Sequence, residues 1–136
     1  MSDRIPAIKL LLLPKDTNPS GTIFGGVLLS HIDLASAVEA RKTAPFRYVT
    51  RAMDQIEFHR PVFVGDVVSF YTETVRVGRT SITVRVSVEA ERWGIGLASS
   101  PEGLGELVKV TEAVVVLVAV DDIGKPVPIR PEPVQV

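Results

Sequence analysis

The fold is decided by residues 16–33, which read DTNPSGTIFGGVLLSHID. The first half of this stretch is rich in turn formers such as Asn18 and Pro19, and the apolar residues of the second half have helical spacing. Gly25 and Gly26 stand where the halves meet and allow close approach to the backbone. The stretch therefore predicts a turn followed by a helix whose first free amides point at whatever lies over the two glycines.

Asp33 is a carboxylate on this mostly apolar helix. The residues one turn away on either side carry no positive charge, so no Lys or Arg can pair with Asp33 along the helix. They are Leu29, Ser30, Ser36 and Ala37. An exposed Asp on a solvated helix face is the commoner explanation of such a residue. The small neighbours and the preceding glycines favour a ligand site instead.

The composition excludes several classes of protein. A chain of 136 residues is one domain that can bury a core without disulfides, and this chain has no cysteine. Two isolated histidines argue against a zinc site, so we expect no metal. Fifteen basic and sixteen acidic residues without a block of like charge give no sign of nucleic-acid binding. The apolar run at residues 8–13 is too short to span a membrane, and no cleavage-site pattern follows it, so we expect a soluble cytoplasmic protein.

The remaining elements are read from periodicity. The helix is expected over residues 25–43, because Pro45 restricts the residue before it. Strands are expected at residues 66–77 and 80–91, joined as an antiparallel hairpin by Gly78-Arg79. The second of these alternates throughout, and Ile82, Val84, Val86, Val88 and Ala90 form its buried face.

Further strands are expected at residues 46–59, as one or two, and at 106–120, a valine-rich run that is covered on both faces over part of its length and could meet another subunit. The glycine-rich residues 93–105 are expected to be a mobile excursion. One early helix and about five mostly antiparallel strands predict an α+β domain in which the sheet wraps the helix. This domain covers residues 1–123, and a proline-rich tail, residues 124–136, cannot form a central strand.

Four ordered motifs carry a family resemblance. They are Leu13-Pro14 with residues 16–18 and Gly21; residues 24–26 with Leu29, Ser30 and Asp33; Phe58 with Arg60-Pro61 and residues 64–68; and Gly78 with Thr80-Ser81. On these residues the chain resembles the acyl-CoA thioesterases of the hotdog fold, in the branch of YciA-like and vertebrate cytosolic acyl-CoA hydrolases.

The resemblance implies both an architecture and an activity. It implies a long helix wrapped by an antiparallel sheet, a homodimer joined edge to edge with active sites between subunits, and a trimer of dimers. It implies an enzyme that hydrolyses acyl-CoA to free acid and CoA without a cofactor, CoA being part of the substrate. The catalytic carboxylate of the family matches Asp33, its loop asparagine matches Asn18, and its helix-start glycines match Gly25 and Gly26.

Thioester hydrolysis needs groups that these residues can supply. Asp33 could deprotonate a water molecule or attack the carbonyl carbon directly, and the sequence leaves both open. Amides near Gly25 and Gly26 would hold the oxyanion, helped by the helix dipole. Asn18 would orient the water or the carbonyl, and its alternative role is that of an ordinary turn former.

The phosphates of CoA call for a local patch of basic residues, since the chain as a whole is not basic. Arg60 beside Pro61 and Arg79 in the hairpin turn are the candidates, with Thr80 and Ser81 as hydroxyl donors. Either arginine could instead be a solvated surface charge.

Two alternatives to an enzyme belong to other functional classes. A non-catalytic hotdog module could bind acyl-CoA as a sensor, and the valine-rich sheet and tail could serve assembly alone. The presence of both Asp33 and Asn18 favours the hydrolase. Two departures from the family pattern, residues 34–36 (Leu-Ala-Ser) after the carboxylate and His59 before Arg60, leave the acyl chain length open. His31, alone on the apolar helix, is expected to pack or hydrogen-bond structurally.

Overall fold

The structure is a computed structural model and describes residues 4–92 and 106–129. One helix, α1 (Gly25–Thr43), follows a short strand and a 3-10 turn and precedes four longer strands. The strands are β1 (Ile8–Leu11), β2 (Arg47–Asp54), β3 (Val67–Val77), β4 (Ser81–Arg92) and β5 (Glu106–Val120). They form one antiparallel sheet in the order β1-β3-β4-β5-β2. The expected α+β architecture, a helix wrapped by a five-stranded antiparallel sheet, is therefore confirmed.

The core lies between α1 and the inner face of the sheet. The predicted buried face of β4 is confirmed, since its five apolar residues are all fully buried. The helix contributes side chains spaced by three to five residues, which is the period of one helical face. They are Leu28, Ile32, Ala35 and Ala40.

The helix ends at Thr43, the position predicted from Pro45. Ala44 has φ −153° and ψ 130°, an extended conformation, and its amide donates to the carbonyl of Ala40 at 2.9 Å. The residue before a proline avoids the helical region, and here that residue is Ala44. The predicted limits of the helix, 25–43, agree with the structure.

The fifth strand lies elsewhere than expected. Residues 46–59 contain one strand, β2, which ends before Gln55, a residue with φ 60°. The strand that the sequence did not predict is β1, which is four residues long. It pairs with β3 and forms the edge of the sheet opposite β2. Four residues are too few for an alternating pattern to stand out in a sequence.

The valine-rich strand β5 lies between β4 and β2. Its inward residues from Ala113 to Ala119 are buried, and the three outward valines, 114, 116 and 118, are half-buried in the single chain. Residues 124–129 fold back on this chain, because Val127 donates to Ala119 and Ile129 donates to Arg79. The expected excursion at 93–105 and the last seven residues of the tail lie outside the described residues.

Candidate active site

The turn before α1 is held together by Asn18. Its Oδ1 accepts from the amides of Ser20 (2.9 Å) and Thr22 (3.2 Å), and its Nδ2 donates to Thr22 Oγ1 at 2.8 Å. The carboxamide therefore does what a turn former does, and this use takes one of its two amide hydrogens. Gly21 completes the turn with φ 87°, a conformation that favours glycine.

The N-terminus of α1 has no side-chain cap. Phe24 is the N-cap residue, and its side chain makes no capping hydrogen bond. Phe24 is itself held by its amide, which donates to the carbonyl of Asp16 at 2.8 Å. The amide of Val27 donates to the carbonyl of Phe24 at 3.0 Å, which leaves the amides of Gly25 and Gly26 to receive an oxygen carrying negative charge.

The two glycines at this end differ in their surroundings. A Cβ on Gly26 would lie 2.5 Å from the ring of Phe24, so the glycine leaves room for that ring. A Cβ on Gly25 would meet Phe58 only at 3.6 Å, an ordinary contact. Gly25 thus presents an open backbone toward Phe58, whereas the expected close approach at Gly26 is made by the chain's own Phe24.

A cavity of about 270 Å³ opens beside Gly25. Its walls come from the Asn18 turn, the start of α1 and the segment after β2. The lining residues are Thr22, Ile23, Gly25, Leu28, Phe58, His59, Arg60, Pro61 and Val62. The structure therefore brings Arg60 and Pro61, two of the residues expected to bind CoA, together with Gly25.

Asp33 lies away from this cavity, on the side of α1 that faces strand β2. Asp33 is half-buried, and Thr50 Oγ1 of β2, an exposed residue, donates a hydrogen bond to Oδ1 of Asp33. The peptide carbonyl of Asp33 accepts a hydrogen bond from Ser36 Oγ at 2.7 Å. The Ser36 hydroxyl group therefore bonds the backbone of Asp33 and not its carboxylate. The sequence analysis did not identify Thr50, because the face of the sheet on which its side chain lies depends on the register of β2, which the sequence does not show.

Within a single chain, Asp33 and the amides at the start of α1 lie too far apart to contact the same carbonyl group of a ligand. Eight residues separate Gly25 from Asp33, which corresponds to about 12 Å along the helix. The free amides point out of the helix end, whereas Asp33 projects sideways more than two turns further on. The residues expected to be catalytic therefore lie in two separate places on one chain.

The Arg79-Thr80-Ser81 group lies at the far end of the sheet from the cavity. Ala119 of β5 donates to the carbonyl of Thr80, whereas Val110 of the same strand accepts from the amide of His59. Nine residues of extended strand span about 30 Å. Within one chain the structure therefore does not bring Arg79 together with Arg60.

The two histidines do not form a catalytic pair. His31 Nδ1 lies 2.8 Å from the carbonyl oxygen of Val27, and its ring packs on Phe70 with 5.8 Å between the ring centroids. The structural role predicted for His31 is confirmed. His59 lines the cavity with an exposed side chain. In the described part of the chain, no three His, Asp or Glu side chains lie close enough to hold a metal ion.

Comparison with known proteins places the chain in a family. The family model of the thioesterase superfamily matches residues 20–94. The chain is also 44% identical over 128 residues to the acyl-CoA thioester hydrolase YciA of Salmonella typhimurium, covering 94% of this chain and 90% of that protein. The chain therefore belongs to the thioesterase superfamily.

Solved structures support the same placement. A hexameric hotdog-fold thioesterase of Campylobacter jejuni matches with a TM-score of 0.83 and 46% identity, covering 92% of this chain and 90% of that one. A hexameric broad-specificity acyl-coenzyme A thioesterase matches with a TM-score of 0.83 and 39% identity, covering 97% of this chain and 85% of the other. The hotdog fold implied by the sequence motifs is thus confirmed. Among the described residues, no helix is long and apolar enough to cross a membrane.

Proposed function

We propose that this protein hydrolyses acyl-CoA thioesters in active sites that two copies of the chain complete together. One chain supplies the amides at the start of α1, and the other supplies Asp33. The observation that carries this proposal is the separation of about 12 Å along α1 between Gly25 and Asp33. Its similarity to proteins named acyl-CoA thioester hydrolases supports the substrate class.

The surface around Asp33 is suited to a second chain. Thr50 lies on β2, which is an edge of the sheet. Three apolar side chains nearby on α1 and β2 are exposed by 42–56% in the single chain, namely Leu34, Val38 and Val49. An open strand edge beside exposed apolar side chains is a surface that a symmetric partner can cover. The proposal therefore joins two sheets at β2, and the hexamers formed by related thioesterases favour three such dimers.

The chemistry follows from what each chain supplies, the amides at the start of α1 from one chain and Asp33 from the other. The thioester carbonyl oxygen accepts hydrogen bonds from the free amides at Gly25 and Gly26, which stabilise the negative charge that develops during attack. Removing one such donor in other enzymes costs on the order of 10²-fold to 10³-fold in rate. The partner chain's Asp33 carboxylate faces the carbonyl carbon and either takes a proton from the attacking water or attacks the carbon itself.

Substrate binding is assigned to the cavity and the two arginine groups. Arg60 and Pro61 border the cavity beside the helix start, where the pantetheine arm of CoA enters. Arg79, with Thr80 and Ser81, lies about 30 Å away along the sheet, so in the dimer we assign it to the phosphates of a CoA bound at a site shared with the partner. Asn18 keeps the turn that carries Ile23 and the helix start in place.

Thiol release from acyl-CoAs of graded chain length tests this proposal. The chain has no cysteine, so a thiol reagent detects only the CoA that is released. We expect turnover by the wild type and a loss of about 10²-fold to 10⁴-fold in kcat for Asp33→Asn. Asp122→Asn, an exposed carboxylate in the turn after β5, is the matched control and should behave as the wild type.

The same experiment separates the hydrolase from a sensor. A sensor would bind CoA with saturation and release no thiol from any acyl-CoA in the series, and Asp33→Asn would bind as the wild type does. Wild-type turnover that Asp33→Asn retains in full would refute the assignment of the carboxylate.

A further inference from the structure

An ion pair with a buried carboxylate lies outside the cavity, behind the segment that forms one of its walls. Asp66 is only 2% exposed, although it is a carboxylate. Its oxygens accept from Nε and Nη2 of Arg92 at 3.1 Å and 3.0 Å, and from the amide of Phe63 at 2.9 Å. A buried charge persists in a protein when it is paired and hydrogen-bonded in this way. The hydrogen bond to Asp66 is also the main cause that raises the pKa of Arg92.

The same guanidinium group also reaches the cavity wall. Arg92 Nη2 donates to the carbonyl of Pro61 at 3.1 Å, and the guanidinium carbon lies 4.7 Å from the ring centroid of Phe63. Arg92 thereby holds both ends of residues 61–63, Pro61 by its carbonyl and Phe63 by its ring. Asp66 holds Phe63 as well, because its carboxylate accepts a hydrogen bond from the Phe63 amide.

The fixed segment is continuous with the cavity. Pro61 and Val62 line it, and the carbonyl of Val62 accepts from the amide of Ile23, another lining residue, at 2.8 Å. Neither Asp66 nor Arg92 is itself among the lining residues. Any influence of the ion pair on a ligand must therefore pass through the backbone of residues 61–63.

We propose that Arg92 is a positioning residue for substrate binding, which holds the Pro61 wall of the cavity through its ion pair with Asp66. The inference rests on the proposed function, since it assigns the cavity to the CoA thioester. It predicts weaker binding of CoA and of acyl-CoA when the pair is removed, because the wall then keeps only its backbone bonds and is held less firmly in the unbound protein.

The chemical step is held by other contacts. The helix start is anchored by the bond from the Phe24 amide to Asp16, and Asp33 is held by Thr50 on β2. Neither contact involves residues 61–66. Removal of the ion pair therefore raises KM and leaves kcat nearly unchanged, whereas a purely structural role would lower stability and the active fraction without changing KM.

The test uses the double variant Asp66→Asn/Arg92→Met in the full chain. Asparagine retains an acceptor for the Phe63 amide, and methionine retains much of the length of Arg92, so no lone charge is left buried. Arg85→Met is the matched control, because Arg85 lies on the same strand in exposed ion pairs with Glu73 and Glu112. The measurements are Kd of CoA by calorimetry, KM and kcat for acyl-CoA, and the melting temperature.

We expect Kd and KM to rise about tenfold in the double variant with kcat within roughly threefold of the wild type, and Arg85→Met to stay within about twofold throughout. A folded double variant with wild-type Kd and KM would overturn the proposal, as would a fall in kcat at constant KM. If the double variant does not fold, Arg92→Lys replaces it, with a rise of about threefold in Kd expected and an unchanged Kd refuting the inference. Absence of wild-type turnover would refute the hydrolase alone, since the comparison of Kd values does not need turnover.

Discussion

Thr50→Val removes the hydroxyl group that contacts Asp33 and changes little else. Thr50 lies on β2 and donates to Asp33 Oδ1, and no other side-chain contact of that carboxylate is seen in the described residues. Valine has the shape of threonine and favours a strand, so the fold should tolerate it. The variant therefore isolates the role of one hydrogen bond in orienting the carboxylate.

The expected size of the effect follows from the environment of this bond. A hydrogen bond to a charged group is worth about 1.5–3 kcal/mol. Asp33 is half-buried and Thr50 is exposed, so water replaces part of the lost contact and the lower end of that range applies. A loss of about 1.5 kcal/mol in the transition state lowers kcat roughly tenfold.

The assay is thiol release at saturating acyl-CoA, with oligomeric state and melting temperature measured for every variant. Thr50→Ser keeps the hydroxyl and should retain kcat to within about threefold. Thr83→Val is the matched control, since Thr83 lies on β4 between buried neighbours and faces away from α1. A kcat of wild-type size in a folded Thr50→Val protein would refute the claim that this threonine orients Asp33, the carboxylate proposed to be catalytic.

Four further variants test the core, the turn and the charges. Ile32→Ala, at a fully buried position next to Asp33, should lower the free energy of unfolding by about 2–5 kcal/mol in urea titration, and a loss below about 1 kcal/mol would contradict the packing described. Asn18→Ala should lower it by roughly 1–2 kcal/mol and also lower kcat/KM, because the turn before α1 loses its side-chain bonds, and an unchanged kcat/KM would deny the turn a role. Arg60→Met and Arg79→Met should each raise KM for acyl-CoA severalfold at low salt and less at high salt, and a salt-independent effect would argue against phosphate contacts.

The sequence predicted the elements with a clear period. The helix was placed correctly because its apolar spacing and Pro45 define it, and β4 because it alternates over ten residues without a break. β1 was missed, since four residues carry too little pattern and the strand exists through its pairing with β3. A sequence shows periodicity directly, whereas pairing between distant segments depends on tertiary structure.

The sequence motifs name the candidate residues and the resemblance implies sites between subunits, but the distances within one chain could not be read from the sequence. The motifs gave Asp33, Gly25 and Arg60, yet the structure separates the carboxylate from the helix start and Arg60 from Arg79. Thr50 carried no signal, because its contact depends on the register of β2. Arg92 carried none either, because its partners come from a loop some thirty residues earlier in the chain.

In the proposed enzyme each active site is built from two chains. Asp33→Asn keeps the helix start intact, and Gly25→Val keeps the carboxylate but places a side chain at the cavity wall, where a Cβ has room. Refolding the two inactive variants together in equal amounts makes half of the dimers mixed. Each mixed dimer has one site with an intact helix start from one chain and an intact Asp33 from the other.

The measurement is the thiol-release rate of this refolded mixture per chain. With composite sites, one site in four is intact, so the mixture should recover about a quarter of the wild-type rate. If each site belonged to one chain, every site would remain defective, and the mixture would show only the mean of its two inactive parents. That result would contradict the account.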